Sequence, residues 1–443
     1  MRRAAALAVA VGGDPWSAGP HVYPGSRGHL VAMDALVRPV VDPGFAAAAL
    51  AFLCGGVALG TASGLVPGLH ANNFALLLAG VAPSISADPL LVGVAMLGAG
   101  VVHSFLDIVP ALALGVPDAA TAVAALPGHR LVVAGRGREA VRLSAVGSGL
   151  AVALAVPLAV PITWVMVRGY PVVRAHLPLL LGGVVAFLVL TESSKRAALG
   201  GLVAFLASAA LGLATLDADP SAPLDAGGVL APLFAGLFGA PVLVEAMRGG
   251  GVPPQADARI AMSRRGLAAS AGGGSLAGAV VGYVPGVSAA IAAVAALPAV
   301  PRDESDRGFV VATSGANTAN TIFALFALVA LGTPRTGVTV AIDRAEVPFA
   351  LPILLVAAAT ASACGFALVL LVGDAYLRVV GNADYTRLSV GVLALLSGIS
   401  FAFAGAFGVG VFVLAGALGL VPPRVGARRV HLMGVLIGPL IVG

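Results

Sequence analysis

The 443-residue sequence predicts an all-helical polytopic membrane protein built from two inverted-topology repeats with broken, re-entrant helices. Three observations lead there. The first is composition: 59% of the residues are hydrophobic, 10% are charged and the mean hydropathy is +1.02. A soluble domain carries about 25% charged residues. The second is recurrence. GLVPGLHANN (64–73) returns as GYVPGVSAAI (282–291), and LGVPDAATAVA (114–124) returns as LGTPRTGVTVA (331–341), so that Pro67 and Pro285 lie 218 residues apart and Pro117 and Pro334 lie 217 apart. Two landmarks at nearly one spacing point to an internal duplication. The third is charge: equivalent loops of the two halves carry opposite bias. The basic 128–142 stretch matches the nearly neutral 341–346, and the acidic 217–226 matches the basic 422–429. Opposite bias places equivalent loops on opposite sides of the membrane.

Taken in order, residues 1–43 hold no apolar run of spanning length and read as an N-terminal extension, either disordered or preceding a start at Met33. The first transmembrane repeat is expected over 44–247. It opens with a span at 44–63, the Pro67 break, a half-segment at 74–83, and apolar blocks at 90–106 and 108–127, the latter broken at Gly115–Pro117. A basic loop at 128–142 follows, then spans near 144–166, 177–191, 197–215 and 227–246. The connection 167–176, with Arg168 and Arg174, reads as a loop whose charge opposes the positive-inside assignment. A basic cytoplasmic linker, 248–266, leads to the second repeat at 267–443. That repeat breaks at Pro285, passes the polar SGANTANT (314–321) and breaks again at Gly332–Pro334. Spans near 349–372, 388–404 and 406–421 complete it.

The breaks carry the functional expectation. Unpaired backbone costs several kcal/mol in hydrocarbon, so interrupted helices survive only inside protein or along a cavity. Pro67-Gly68 and Pro285-Gly286 each interrupt the helical ladder, because proline lacks an N–H and glycine permits positive φ. A helix beginning after such a break offers free N–H groups to an anion. Polar residues gather there: His70, Asn72 and Asn73 after the first break, Ser288 after the second, and Ser314, Asn317, Thr318, Asn320 and Thr321 before the fourth. Gly332 and Pro334 form that fourth break, and Thr336 flanks it. These positions are the expected substrate-binding set. Amides and hydroxyls both donate and accept, which suits carboxylate oxygens or a dehydrated cation. Some will serve only to bridge helices.

A second group is expected to couple an ion. His103 and Asp107 are four residues apart and share a helix face, and an ionisable residue within a span is a functional candidate by default. Thr121 and Thr339, near the two Gly-x-Pro breaks, join them. A paired His–Asp that fixes packing is the plain alternative. No metal or organic cofactor is expected, only Na⁺ or H⁺ as coupling ion. The net charge of +5 lies in short loops and gives no reason to expect nucleic acid. Cys54 and Cys364 sit within apolar segments and read as small packing residues.

At these residues the sequence resembles the large membrane subunit of the tripartite tricarboxylate transporters, the TctA-type permeases, in a shorter form like that of archaeal relatives. GLVPGL (64–69) is similar to that family's Pro-Gly loop, and ANTANTIFALFALVALGTPRTGVT (316–339) is similar to its Asn-rich segment leading to a Gly-x-Pro. The stretch 109–145 is similar to a third conserved region, and the resemblance covers about 44–430. Departures include His70 and Arg335, where the family commonly has small residues. The resemblance implies import of a tri- or dicarboxylate with cation coupling across the cell membrane. It further implies, in many members, a small membrane partner and an extracytoplasmic solute-binding protein. Self-association into a homo-oligomer stays open. Two rivals differ in class. One is a membrane-embedded hydrolase or transferase using His103, Ser104 and Asp107; the other is a non-transporting assembly subunit.

Overall fold

Short polar residues set the helix starts. Asp42, Asp88, Ser194, Ser263 and Asp384 each accept a backbone N–H from the first turn that follows, at 2.8–3.2 Å. Pro43 and Pro89 occupy first helical positions, where no N–H is needed. The structure is a computed structural model that describes residues 42–67, 69, 71–114, 125–224, 228–247, 253–256, 259–284, 287, 289, 292, 305–381 and 384–443.

Among the described residues all regular structure is helical. Helices α1 (Pro43–Gly64), α2 (Ala71–Val81), α3 (Pro89–Leu106) and α4 (Ile108–Leu114) come first. α5 (Ala125–Val133), α6 (Gly137–Ala175), α7 (Leu177–Leu190) and α8 (Lys195–Thr215) follow. α9 (Leu230–Phe234) continues through a π-turn into α10 (Ala240–Ala246). The remainder comprises α11 (Arg264–Tyr283), α12 (Ser305–Leu331), α13 (Gly337–Arg344), α14 (Leu351–Gly381), α15 (Tyr385–Gly419), α16 (Val421–Arg424) and α17 (Gly434–Val442). Seven stretches among the described residues are long and apolar enough to cross a membrane, which makes the chain a multi-pass membrane protein. Two of them, Pro89–Leu114 and Asp306–Leu331, are each 26 residues long and begin 217 residues apart.

Two expectations are corrected. The 128–142 stretch is mostly helix, with a turn only at 134–136, and Gln255 of the linker docks there by accepting from Gly137 N at 2.6 Å. The 167–176 connection is the end of α6, which runs unbroken for 39 residues. At 1.5 Å per residue such a helix reaches about 58 Å, well beyond a hydrocarbon core of about 30 Å. Its Arg168 guanidinium lies 3.7 Å over the Trp164 ring, a placement that keeps a charge at the end of an apolar helix. The polar 314–321 stretch lies inside the continuous helix α12.

Small residues fix the packing. Gly56, Gly60 and Gly64 of α1 form a stripe against α3, where added Cβ atoms would collide with Ala95 O, Ala99 O and Leu106 Cβ. Gly274, Gly278 and Gly282 of α11 form the same stripe against α12, facing Ala312 O, Ala316 O and Phe323 Cβ. The glycines are 218 residues apart and their partners 217. A second pair of contacts is crossed. α17 packs on α8, with Gly434 against Phe205 O and Gly212 against Val435 O. The end of α15 packs on the α9–α10 segment, with Gly236 against Phe412 O and Gly419 against Leu237 O. Without a hydrophobic force between helices in lipid, such close approach supplies the association energy.

The buried apolar residues form one large core, drawn chiefly from α3, α4, α6, α12 and α14, and a second from α7–α10, the end of α15 and α17. Each core takes helices from both halves of the chain.

Candidate functional site

Helix α3 is where the predicted positions meet. Asp107 sits at the turn between α3 and α4, its N–H bonded to His103 O at 2.9 Å. Its carboxylate accepts from Asn317 Nδ2 of α12 at 2.7 Å. The same Nδ2 also reaches Ser104 O at 3.4 Å, and Thr318 Oγ1 approaches that carbonyl at 3.5 Å. All four residues are buried. A carboxylate and a carboxamide, 210 positions apart in sequence, thus face each other inside two candidate spans.

From there hydroxyls bridge α12 to α6. Thr318 Oγ1 donates to Ser148 Oγ at 2.9 Å, Ser148 Oγ donates to Ser314 O at 3.1 Å, and Ser314 Oγ donates to Ser144 Oγ at 3.0 Å. Ser144 and Ser148 were not singled out in the sequence, although their spacing of four matches that of Ser314 and Thr318. That match is a signal for two facing helix surfaces.

His103 faces the first break. Its Nδ1 is 2.8 Å from Ser63 Oγ, one turn before Pro67, and its imidazole stacks on the Phe74 ring of α2 with centroids 5.8 Å apart. Pro67 and Leu69 are buried, and Val66 and Leu69 amides close tight turns onto Ser63 O and Val66 O. The chain therefore turns at Pro67 and sends α2 back beside His103. Ser63 is a further residue that sequence reasoning missed.

The fourth break is built differently. Gly332 takes φ of +64°, a conformation that favours glycine, and Pro334 is buried. Thr336 and Thr339 cap α13 reciprocally: Thr336 Oγ1 accepts from Thr339 N at 3.3 Å and Thr339 Oγ1 accepts from Thr336 N at 2.9 Å. Arg335 donates from its backbone to Thr339 Oγ1 and from its guanidinium to Tyr170 OH, with the ring centroid 4.9 Å away. Both threonine hydroxyls are thus engaged in the cap. α13 still belongs to the region, because its Val338 fills the space above Gly100 of α3.

Asn320 and Thr321 lie on α12; Thr321 is buried, and Asn320 Oδ1 is shielded without a hydrogen-bond partner. Gly68, His70, Thr121, Pro285, Gly286 and Ser288, with the side chains of Asn72 and Asn73, fall outside the described residues. A cleft of about 440 Å³ opens elsewhere, beside the kink at Ala404–Gly405, lined by Asp219, Ser221 and Phe407. None of the predicted site residues lines it.

The arrangement has the marks of a membrane site rather than a surface one: helix breaks, one carboxylate, one carboxamide and several hydroxyls, all enclosed. A family model described as the tripartite tricarboxylate transporter TctA family matches residues 50–434. The chain belongs to the TctA family. A TctA protein is an integral membrane transport component and not an enzyme, which removes the hydrolase reading of His103, Ser104 and Asp107. An uncharacterized protein of Methanocaldococcus jannaschii is 32% identical over 206 residues, covering 45% of this chain and 49% of the relative. The alignment thus spans about half the length of that curated relative. No solved structure matches the chain.

Proposed function

We propose that this TctA chain is the permease of a secondary transporter that imports an organic anion, a tri- or dicarboxylate, coupled to Na⁺ or H⁺. The observation that carries the reading is the buried Asp107–Asn317 contact, which joins α3 and α12 beside interrupted helices in a chain of this family. Polar and ionisable groups at that depth mark substrate or ion pathways. The N-terminal end of α2, after the Pro67 break, supplies a positive dipole end for the carboxylate, and the sequence repeats the Pro-Gly at Pro285.

On this reading 44–247 and 267–443 are two inverted-topology repeats joined by the linker 248–266. Support comes from the twin 26-residue spans, the two glycine stripes and the crossed contacts of α17 with α8 and α15 with α9–α10. Alternating access is movement of one bundle against the other. Because each apolar core mixes both halves, the moving unit is a core and not a half. A small membrane subunit and an extracytoplasmic binding protein complete the system, as the family's tripartite name suggests.

Uptake of radiolabelled citrate and shorter dicarboxylates into proteoliposomes tests the function. Accumulation driven by an imposed Na⁺ or H⁺ gradient is expected, falling at least tenfold in Asn317→Ala. Absence of uptake for every carboxylate, with and without the partner subunits, would remove the transport reading.

A further inference from the structure

Four oxygen-bearing groups are joined by successive contacts at the α3–α4 turn. They are the Asp107 carboxylate, the Ser104 carbonyl, the Thr318 hydroxyl and the Asn317 carboxamide, linked by contacts of 2.7–3.5 Å. Asp107 is 6% exposed, Asn317 8% and Thr318 0%. We propose that these groups form a binding site for a dehydrated monovalent cation of sodium's size. The inference rests on the transport reading above and names the coupling ion and its ligands.

The chemistry is that of a hard cation. Carboxylate, carbonyl and hydroxyl oxygens are its preferred ligands, and the C-terminal end of an interrupted helix turns carbonyls toward it. The charge count selects a monovalent ion. One carboxylate among neutral ligands balances a single positive charge, and buried charges are tolerated when paired. A calcium site takes six to eight oxygens with several carboxylates, and magnesium keeps its waters. A proton would use the carboxylate alone and leaves the convergence of three neutral groups without a role.

The carboxamide is the moving part. As placed, Asn317 Nδ2 points at two acceptors, Asp107 Oδ2 and Ser104 O, occupying the spot a cation would take. Rotation by half a turn exchanges nitrogen for oxygen and adds a ligand in place of the donor. The carboxylate already stands 2.7 Å from the carboxamide, so closing on sodium needs less helix displacement than closing on potassium. Ser148 Oγ, 2.9 Å from Thr318 Oγ1, steadies that hydroxyl from α6. The bound ion would tie α3 to α12.

The test is a thermal titration of the detergent-purified full chain with NaCl, against KCl and choline chloride at equal ionic strength. A saturable rise in melting temperature with sodium alone is expected. Asp107→Asn abolishes it, Thr318→Val moves the half-saturation point at least tenfold, and Ser362→Ala, whose hydroxyl bonds its own helix at Ala358 O, leaves it unchanged. Identical curves for the three salts would overturn the site, as would a Thr318→Val titration like the wild type. The readout needs no carboxylate. Sodium binding lost in Asp107→Asn without any carboxylate uptake would keep the site and remove the transport reading. Carboxylate uptake that ignores sodium would do the reverse.

Discussion

Helices α3 and α12 present the same backbone to their neighbours and different side chains to the space between them. Ala95 and Ala99 meet the glycine stripe of α1 as Ala312 and Ala316 meet that of α11. Away from the stripe the equivalence ends. His103 of α3 corresponds to Asn320 of α12, Asp107 to Ala324, and Gly100 to Asn317, all at the 217-residue offset. The titratable groups sit on one helix and the carboxamides on the other. Close backbone packing tolerates only small residues at the stripe, whereas a side chain off the stripe is free to differ. The lesson is that the scaffold is held twice and the chemistry once.

The largest expected effect attacks the shared part. Gly60→Leu and Gly278→Leu each force a side chain into backbone atoms of the facing helix. Overpacking typically costs about 1–3 kcal/mol and more against unyielding backbone. Both variants should lose most folded protein by fluorescence-detected size exclusion. Tolerance in one half alone would break the equivalence.

The crossed contacts sharpen the comparison next. The contact of α8 with α17 lies beside an ionic cluster, where Glu192 Oε1 accepts from Arg428 N and Nε and from His431 Nε2 at 2.8–3.1 Å. In the other crossed contact, Leu224 N donates to Ala402 O beside the α15 kink. Burial pushes the Glu192 carboxyl up, but the hydrogen bonds from Arg428 and His431 outweigh it and hold it below its usual value near 4.5. A carboxyl depressed in the folded state contributes stability that is present above its unfolded value and lost as pH falls through the folded one. Glu192→Gln should lower stability by about 1–3 kcal/mol at pH 7 and converge with the wild type below pH 4, read as melting temperature against pH.

The smallest effect concerns the hydroxyl bridges. Ser148→Ala removes the group between Thr318 Oγ1 and Ser314 O, worth about 0.5–1.5 kcal/mol. A melting-temperature loss of a few degrees is expected, with transport reduced less than by Asn317→Ala.

Much of this was legible in the sequence. The Pro-Gly recurrence located the first break, apolar runs located the spans, and the division of 388–421 near 405 matches the kink at Ala404–Gly405. Two stretches misled, because arginines and glycines at 128–142 and 167–176 mimic loops, while a helix longer than the bilayer carries them at its ends. Asn317 and Thr318 read as polar residues leading to a break, and they lie within a continuous helix. Their side chains find partners on α3 and α6, so the backbone stays helical. The Asp107–Asn317 contact was beyond reach, since one sequence shows each residue and no pairing between them.

The central claim is that the chain binds a carboxylate at its interrupted helices, and that this binding depends on the Asp107–Asn317 contact between α3 and α12. The most direct measurement is a thermal-stability screen of the purified chain with citrate, dicarboxylates and phosphate, run on the wild type and on Asn317→Ala. A ligand at a hundredfold excess over its dissociation constant stabilises by about 2.7 kcal/mol. The account predicts a carboxylate-specific rise in the wild type that disappears in Asn317→Ala. An equal rise in both proteins would show binding independent of the Asp107–Asn317 contact and contradict it.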